Sequence, residues 1–401
     1  MASARLAFPA VLAAAALAGG ALTALSAPAA AEPAAAPCSP HKDTGTASWT
    51  DHAELGDELQ RLERRSKGAL EVEVAGRSGQ GREIWTARVG EGPRTVMVAS
   101  EIHGNEKTGT EAVLRLLRSL SGPSKQAREL REQVTVVAVP KMNPDGSELD
   151  RRGNDRSWSD VVDDFPQLEG APPSWNHYTG ELQGDDYAQR PGFDVNRDFN
   201  PDLDYVPDPA DLPGDSASPG WFVQPESQAV RDAYVALAEE KGGVDAYIDL
   251  HHQGPCYQDE NGEFWVDLSL SGNFLPEQGS PEWERKYSEY DDVYDNEFSR
   301  QLNLAAYDEL QSYGESNFGD VTLYPQEQDL PGTALASFAL NGSGTVLFEV
   351  RGQTQSWGSK QRGRLVTTVE RGLTAVVEGV ADGSARNLDP ERYDDIPATA
   401  R

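Results

Sequence analysis

The chain has 401 residues, of which 66 are Asp or Glu against 35 Lys or Arg, giving a formal charge of −31. So acidic a chain excludes a generic nucleic-acid binder, which needs a basic surface, and disfavours adsorption to anionic lipid. The length accommodates one large domain or two small ones.

Residues 1–31 carry Arg5 near the start, then an Ala-rich apolar run, then Ala29-Ala30-Ala31. This is the layout of a secretory signal peptide. Gly19, Gly20 and the Pro-Ala-rich end argue against a membrane anchor, and no later apolar run is long enough to cross a bilayer. The mature protein is expected to be secreted, soluble and monomeric. Residues 32–46 read as an extended lead-in. Cys38 and Cys256 are the only cysteines. In an oxidising compartment they are expected to pair, and closing so long a loop stabilises by about 5 kcal/mol in the chain-entropy account. Metal ligation by Cys256, close after His251, is the alternative.

Leu55, Leu59 and Leu62 mark a first helix, with Thr50 as its cap. Leu70–Val74 and Ile84–Val89 flank a Gly-rich turn and read as a hairpin. Thr95–Ala99 is a buried strand, followed by Val113, Leu116, Leu117 and Leu120 at helical spacing. Val134–Val139 is another strand. Residues Asp155–Gly192, rich in Asp, Pro, Gly and Trp, show no sustained period and read as a long surface insertion. A helix over Glu226–Lys241, a strand over Ala246–Leu250 and an irregular acidic stretch over Gly254–Tyr290 come next. Phe298, Leu302 and Ala305 place a helix, Thr345–Val350 a strand, and Leu365 to Val380 a closing amphipathic helix. Residues 387–401 look like a frayed tail. Strands and helices thus alternate through residues 47–386. This predicts a single α/β/α domain, with a twisted mixed β-sheet flanked by helices on both faces.

Of six histidines, only His103, His251 and His252 fall at ends of predicted strands. His103 and Glu106 lie in Ser100-Glu101-Ile102-His103-Gly104-Asn105-Glu106, between a strand and a helix, where ligands gather in open α/β sheets. Two imidazoles and a carboxylate make a three-ligand zinc set with a fourth position for water, the catalytic rather than structural arrangement.

Seven separated motifs extend this. They are Gly76-Arg77-Ser78 with Gly81-Arg82, His103-Gly104-Asn105-Glu106, Asn143-Pro144-Asp145-Gly146, Arg152-Gly153-Asn154, Asp194 to Phe199, Asp249-Leu250-His251, and Phe348-Glu349-Val350-Arg351. In this order they resemble the zinc metallocarboxypeptidases of the carboxypeptidase A-like family. The resemblance implies one Zn2+ per chain, bound by His103, Glu106 and His251. His252 competes with His251 on residue type, and the family's Asp-Leu-His order selects His251. Asp194 would accept the second ring N–H of His103. Glu349 would be the general base on the zinc-activated water, an ion pair with Arg351 being the alternative. Arg152 would stabilise the oxyanion. Asn196 and Arg197 would bind the substrate's terminal carboxylate, the alternative being structural pairing with Asp194 or Asp198. Tyr324 would close over substrate, and Ala334, flanked by Thr333 and Leu335, would form an uncharged pocket base.

The expected activity is hydrolysis of the C-terminal peptide bond of peptides or proteins with a free C-terminus. A peptidoglycan stem-peptide peptidase or amidase on the same fold is the alternative, and a non-catalytic binding module is the alternative of another class. Retention of His103, Glu106, His251 and Glu349 argues against the last. The stretches Arg152–Asp194 and Gly254–Tyr290 are longer than the family's usual ones.

Overall fold

The computed structural model describes residues 45–400 apart from 273, 314–319, 327 and 353–357. The leader 1–31, most of the lead-in and Cys38 lie outside the described residues. Cys256 is disulfide-bonded, which removes it from consideration as a metal ligand.

Helix α1 (His52–Ser66) is capped by Asp51 rather than Thr50. Asp51 accepts from the Glu54 N–H, and the Glu54 side chain returns the bond in a capping box. Thr50 instead donates to Glu111. Strands β1 (Leu70–Arg77) and β2 (Glu83–Val89) form the expected hairpin. Then come β3 (Arg94–Ser100), α2 (Thr108–Leu120), α3 (Lys125–Gln133), β4 (Val134–Val139) and α4 (Pro144–Leu149). The insertion contains α5 (Trp158–Asp164). After it follow α6 (Pro225–Lys241), β5 (Ala246–Gln253), β6 (Leu268–Ser271), α7 (Pro281–Lys286), α8 (Asn296–Gln311) and β7 (Val321–Leu323). The domain ends with α9 (Ala334–Leu340), β8 (Gly344–Arg351) and α10 (Ser359–Ala381).

Eight strands form one mixed sheet in the order β1-β2-β4-β3-β5-β8-β6-β7. The central pairs β4/β3, β3/β5 and β5/β8 are parallel, and the β1/β2, β2/β4 and β8/β6 pairs are antiparallel. Both faces are covered. Val96, Val98, Ile248 and Phe348 pack toward α1, α2, α8 and α10, whereas Met97, Tyr247 and Leu347 pack toward α6 and α9. That two-sided burial is why the central strands read as unbroken apolar runs.

Three expectations are corrected. Gly254–Tyr290 is not irregular throughout, because Leu268–Ser271 enters the sheet as β6. Its Leu-Ser-Leu-Ser alternation is masked by acidic flanks. The insertion is not merely a surface loop, since Val161, Leu168 and Phe193 are buried with Trp221 and Val223 in a small core of their own. Residues 387–400 are not frayed. Tyr393 and Ile396 are buried, and Thr399 and Ala400 pair with Asp259 and Gln258. Their apolar positions are too few for a periodic signal. Among the described residues, no helix is long and apolar enough to cross a membrane.

Candidate metal centre and cleft

The C-terminal ends of β3, β5 and β8 lie side by side, and their register fixes which side chains meet. Glu349 on β8 is opposite His251 on β5, and Ser100 at the end of β3 is opposite Leu250. Successive side chains on a strand point to opposite faces. His251 therefore lies on the α6/α9 side with Glu349, and His252 is directed to the α2/α10 side. There His252 Nε2 accepts the Thr108 N–H at the start of α2 (3.2 Å), and its Nδ1 donates to Gly352 O. Burial lowers the pKa of His252, consistent with a neutral ring that donates on one side and accepts on the other.

His103, Glu106 and His251 converge. His103 Nδ1 lies 3.0 Å from Glu106 Oε1, His251 Nδ1 lies 3.0 Å from Glu106 Oε2, and the two Nδ1 atoms are 3.1 Å apart. All three residues are 3% exposed, so water cannot solvate them well. Each imidazole turns its far nitrogen to a carboxylate. His103 Nε2 is 3.2 Å from Asp194 Oδ1, and His251 Nε2 is 3.1 Å from Asp249 Oδ2 at an angle short of a full hydrogen bond. With the far nitrogens protonated, two ring lone pairs and a carboxylate face one point. Three acceptors this close repel one another unless a cation lies among them. Their separations approach the spacing of about 3.3 Å around a tetrahedral zinc with bonds of about 2.0–2.1 Å. The donor set fits zinc, and carboxylates behind both histidines are the usual means of fixing the tautomer.

The loop bearing His103 is stitched to the loop after β4. Met142 N–H donates to Ser100 O and Asn143 N–H to Glu101 O, both at 2.9 Å. The Asn143 amide caps α4 through Gly146 N and donates to Ile102 O. Gly104 must be glycine, because a Cβ there would lie 1.9 Å from the Gly146 carbonyl carbon. The Arg77-to-Arg82 turn serves the same assembly, as Ser78 Oγ, Gln80 N–H and Arg82 Nη1 all donate to Asp145. Glu101, two residues before His103, has φ +53° and is fully buried. A left-handed conformation costs a non-glycine residue about 1–2 kcal/mol. Lys141 Nζ (2.7 Å) and Thr110 Oγ1 (2.5 Å) hold its two carboxylate oxygens in place.

Arg152 presents its Nε–Nη2 edge to Asp194 Oδ2 at 3.0 and 2.8 Å, which leaves Nη1 3.3 Å from His103 Nδ1, aimed at the cluster. Burial works to raise the pKa of Asp194, but Arg152, Arg197 and His103 outweigh it and hold the carboxyl well below its usual range. Asn196 is buried, with Oδ1 accepting the Ala334 N–H at 3.0 Å and Nδ2 3.3 Å from His251 Nε2. Ala334 is the buried first residue of α9, whose cap is Thr333. The Arg197 guanidinium donates to Asn196 O (2.6 Å) and has no ion pair among the described residues. Arg197 forms no ion pair with Asp194 or Asp198 among the described residues, whereas the Asn196 main-chain N–H donates to Asp194 Oδ1 at 3.0 Å; Asp194 also pairs with Arg152, and Asp198 accepts from Val223 N, Gln224 N and Ser227 Oγ. Arg351 donates to Pro255 O at 2.9 Å and lies 3.5 Å from Asp267 Oδ1. A cleft of about 540 Å³ is lined by Arg152, Arg197 and Asp194 and, from the insertion, by Trp175 and His177 to Gln183. Tyr324 is not in that lining; it follows β7, ties its N–H to Leu270 O and packs against Phe274. The tyrosine in the cleft is Tyr178, whose hydroxyl donates to Asp194 Oδ2 at 3.2 Å.

A family model described as zinc carboxypeptidase matches residues 56–375. The chain belongs to the zinc carboxypeptidase family. Its fold is similar to carboxypeptidase A from Helicoverpa armigera (TM-score 0.54, 16% identity, 84% of this chain and 74% of that one). It is also similar to bovine thrombin-activatable fibrinolysis inhibitor in complex with tick carboxypeptidase inhibitor (TM-score 0.52, 13% identity, 84% of this chain and 98% of that one). Carboxypeptidase D from Drosophila melanogaster is 26% identical over 124 residues, a stretch that spans 28% of this chain and 9% of that protein. At these identities the solved structures speak to the fold alone.

The contacts that three residues make here are not foreseen by the sequence. Asp249 had a signal, its place two before His251 on the same strand face. Glu101 had none, because a left-handed residue is foreseeable only when it is Gly or Asn. Tyr178 had none either, because it reaches Asp194 only through tertiary packing.

Proposed function

We propose that the chain is a secreted zinc metallocarboxypeptidase that releases the C-terminal residue from peptides with a free C-terminus. The observation that carries this is the convergence of His103 Nδ1, Glu106 and His251 Nδ1 beside an Arg152 whose Nη1, 3.3 Å from His103 Nδ1, is aimed at the same point. Zinc, when bound, supplies Lewis acidity that polarises the scissile carbonyl and makes a water molecule more acidic. His103, Glu106 and His251 would hold it. Glu349, 7% exposed and level with His251 across the β5/β8 pair, takes the proton from the attacking water and delivers it to the leaving amine. Arg152 Nη1 receives the negative charge that develops on the carbonyl oxygen. Arg197, with no carboxylate of its own among the described residues, binds the substrate's α-carboxylate with Asn196.

The test is cleavage of matched peptides with free and amidated C-termini, followed by mass spectrometry. Stepwise loss from free C-termini alone is expected. Arg197→Ala should keep its zinc and lose about 3 kcal/mol of transition-state binding, over a hundredfold in kcat/KM. That loss should not add to the loss from amidation. Equal cleavage of free and amidated peptides would remove the clamp and leave an endopeptidase or amidase on the same centre.

A further inference from the structure

The insertion grips the Arg152 loop from several sides. Asp185 Oδ2 accepts the Arg152 main-chain N–H at 2.8 Å. The Tyr187 hydroxyl accepts the Gly153 N–H at 2.7 Å and donates to Asp185 Oδ2 at 3.3 Å. Arg151, whose guanidinium lies 4.5 Å over the Tyr187 ring, donates to Arg190 O at 2.6 Å. The fourth hold is at the chemistry itself. Tyr178 donates to Asp194 Oδ2, the same oxygen that receives Nε and Nη2 of Arg152. An arginine side chain carries about 2 kcal/mol of rotamer entropy. Here its backbone is tied at one end and its guanidinium edge at the other, so that Nη1 alone faces the cluster.

We propose that the insertion belongs to the catalytic machinery, with Tyr178 and Asp185 as positioning residues that hold the Arg152 guanidinium where the oxyanion forms. This rests on the carboxypeptidase reading above. The requirement is specific to the transition state. A ground-state carbonyl carries little charge for Nη1 to meet, so a loosened Arg152 should lower kcat and leave KM nearly unchanged.

The test uses the full-length zinc enzyme and three variants, Tyr178→Phe, Asp185→Ala and Asp185→Asn. Zinc content and Tm are measured first. An N-acylated dipeptide with a free C-terminus gives kcat and KM. The phosphonate analogue of that dipeptide, tetrahedral and anionic where the oxyanion forms, and the free product amino acid are measured as inhibitors. Tyr178→Phe and Asp185→Ala are expected to lower kcat about tenfold, with KM within about twofold and zinc retained. Phosphonate affinity should fall in proportion to kcat/KM while product affinity holds. Asp185→Asn keeps an oxygen that can accept the Arg152 N–H and should recover most of the activity. Parallel losses of phosphonate and product affinity, or variants within twofold of wild type, overturn the proposal with the carboxypeptidase reading intact. A wild type that leaves free C-termini untouched overturns that reading and this proposal together.

Discussion

The His103 loop after β3 and the insertion meet at Asp194, and the strand ends and the insertion are built in opposite ways. At the ends of β5 and β8, the functional side chains are placed by regular elements. Parallel register sets Glu349 beside His251, and the two-residue alternation separates His251 from His252. In the insertion, placement comes from contacts between residues far apart in sequence, such as Asp185 to Arg152 and Tyr178 to Asp194. A site of the first kind tolerates changes around it as long as the sheet stands. One of the second kind depends on each individual bond.

The sharpest way to break this comparison is at the neighbouring histidines. His251→Ala is expected to lose zinc and activity together. His252→Ala should keep both and lose about 1–3 kcal/mol of stability, because Thr108 N and Gly352 O are left without a partner. Elemental analysis with thermal unfolding reads both outcomes, and zinc loss in the His252 variant alone would mean that register does not decide the ligand.

Next in size is the pair behind the His103 loop. Lys141→Met strands the Glu101 carboxylate in a site where both side chains have 0% exposure. A loss of about 3–5 kcal/mol is expected, with weaker zinc binding in a chelator competition. Adding Glu101→Gly should restore much of both, since glycine accepts the left-handed backbone and brings no charge. A double variant as weak as Lys141→Met would show that the pair does not shape the loop.

A smaller effect comes from Glu226 at the start of α6, which joins the two regions through Asn154 Nδ2 (3.1 Å). Burial chiefly raises its pKa, to about 7, from an ordinary value of 4.5. The folded pKa is the higher one. Its contribution to stability is therefore complete below pH 4.5 and is lost as pH rises through 7, by about 3 kcal/mol in all. Glu226→Gln should remove this slope, so that the variant gains on the wild type between pH 5 and 8 in denaturant titrations. Parallel stability profiles would show that Glu226 ionises as it does in the unfolded chain.

What was legible in the sequence follows the same division. The central strands, α6 and α10 could be read because burial on one or two faces imposes a period. His251 and Glu349 could be read because each lies near the end of such a strand, and His103 and Glu106 because they sit in the loop between a strand and a helix. The strand β6 was hidden by its brevity and acidic flanks, and α9 by its short length. The order of the tail 387–400 is not legible, because it rests on contacts between residues far apart in sequence, such as the Tyr393 hydroxyl accepting the Gly272 N–H and donating to Gln326 Oε1. The insertion's contribution could not be read, since Asp, Tyr and Gly in an aperiodic stretch look alike whether they brace a site or face water.

The Glu101–Lys141 pair also constrains which substitutions this chain can accept. Replacing either residue first leaves a charge in the interior, so the two substitutions cannot accumulate independently as surface changes do. The low-cost route passes through glycine at 101, a residue that fits the turn while the opposite position is still apolar. The loop that carries His103 is therefore anchored by two positions that must change together.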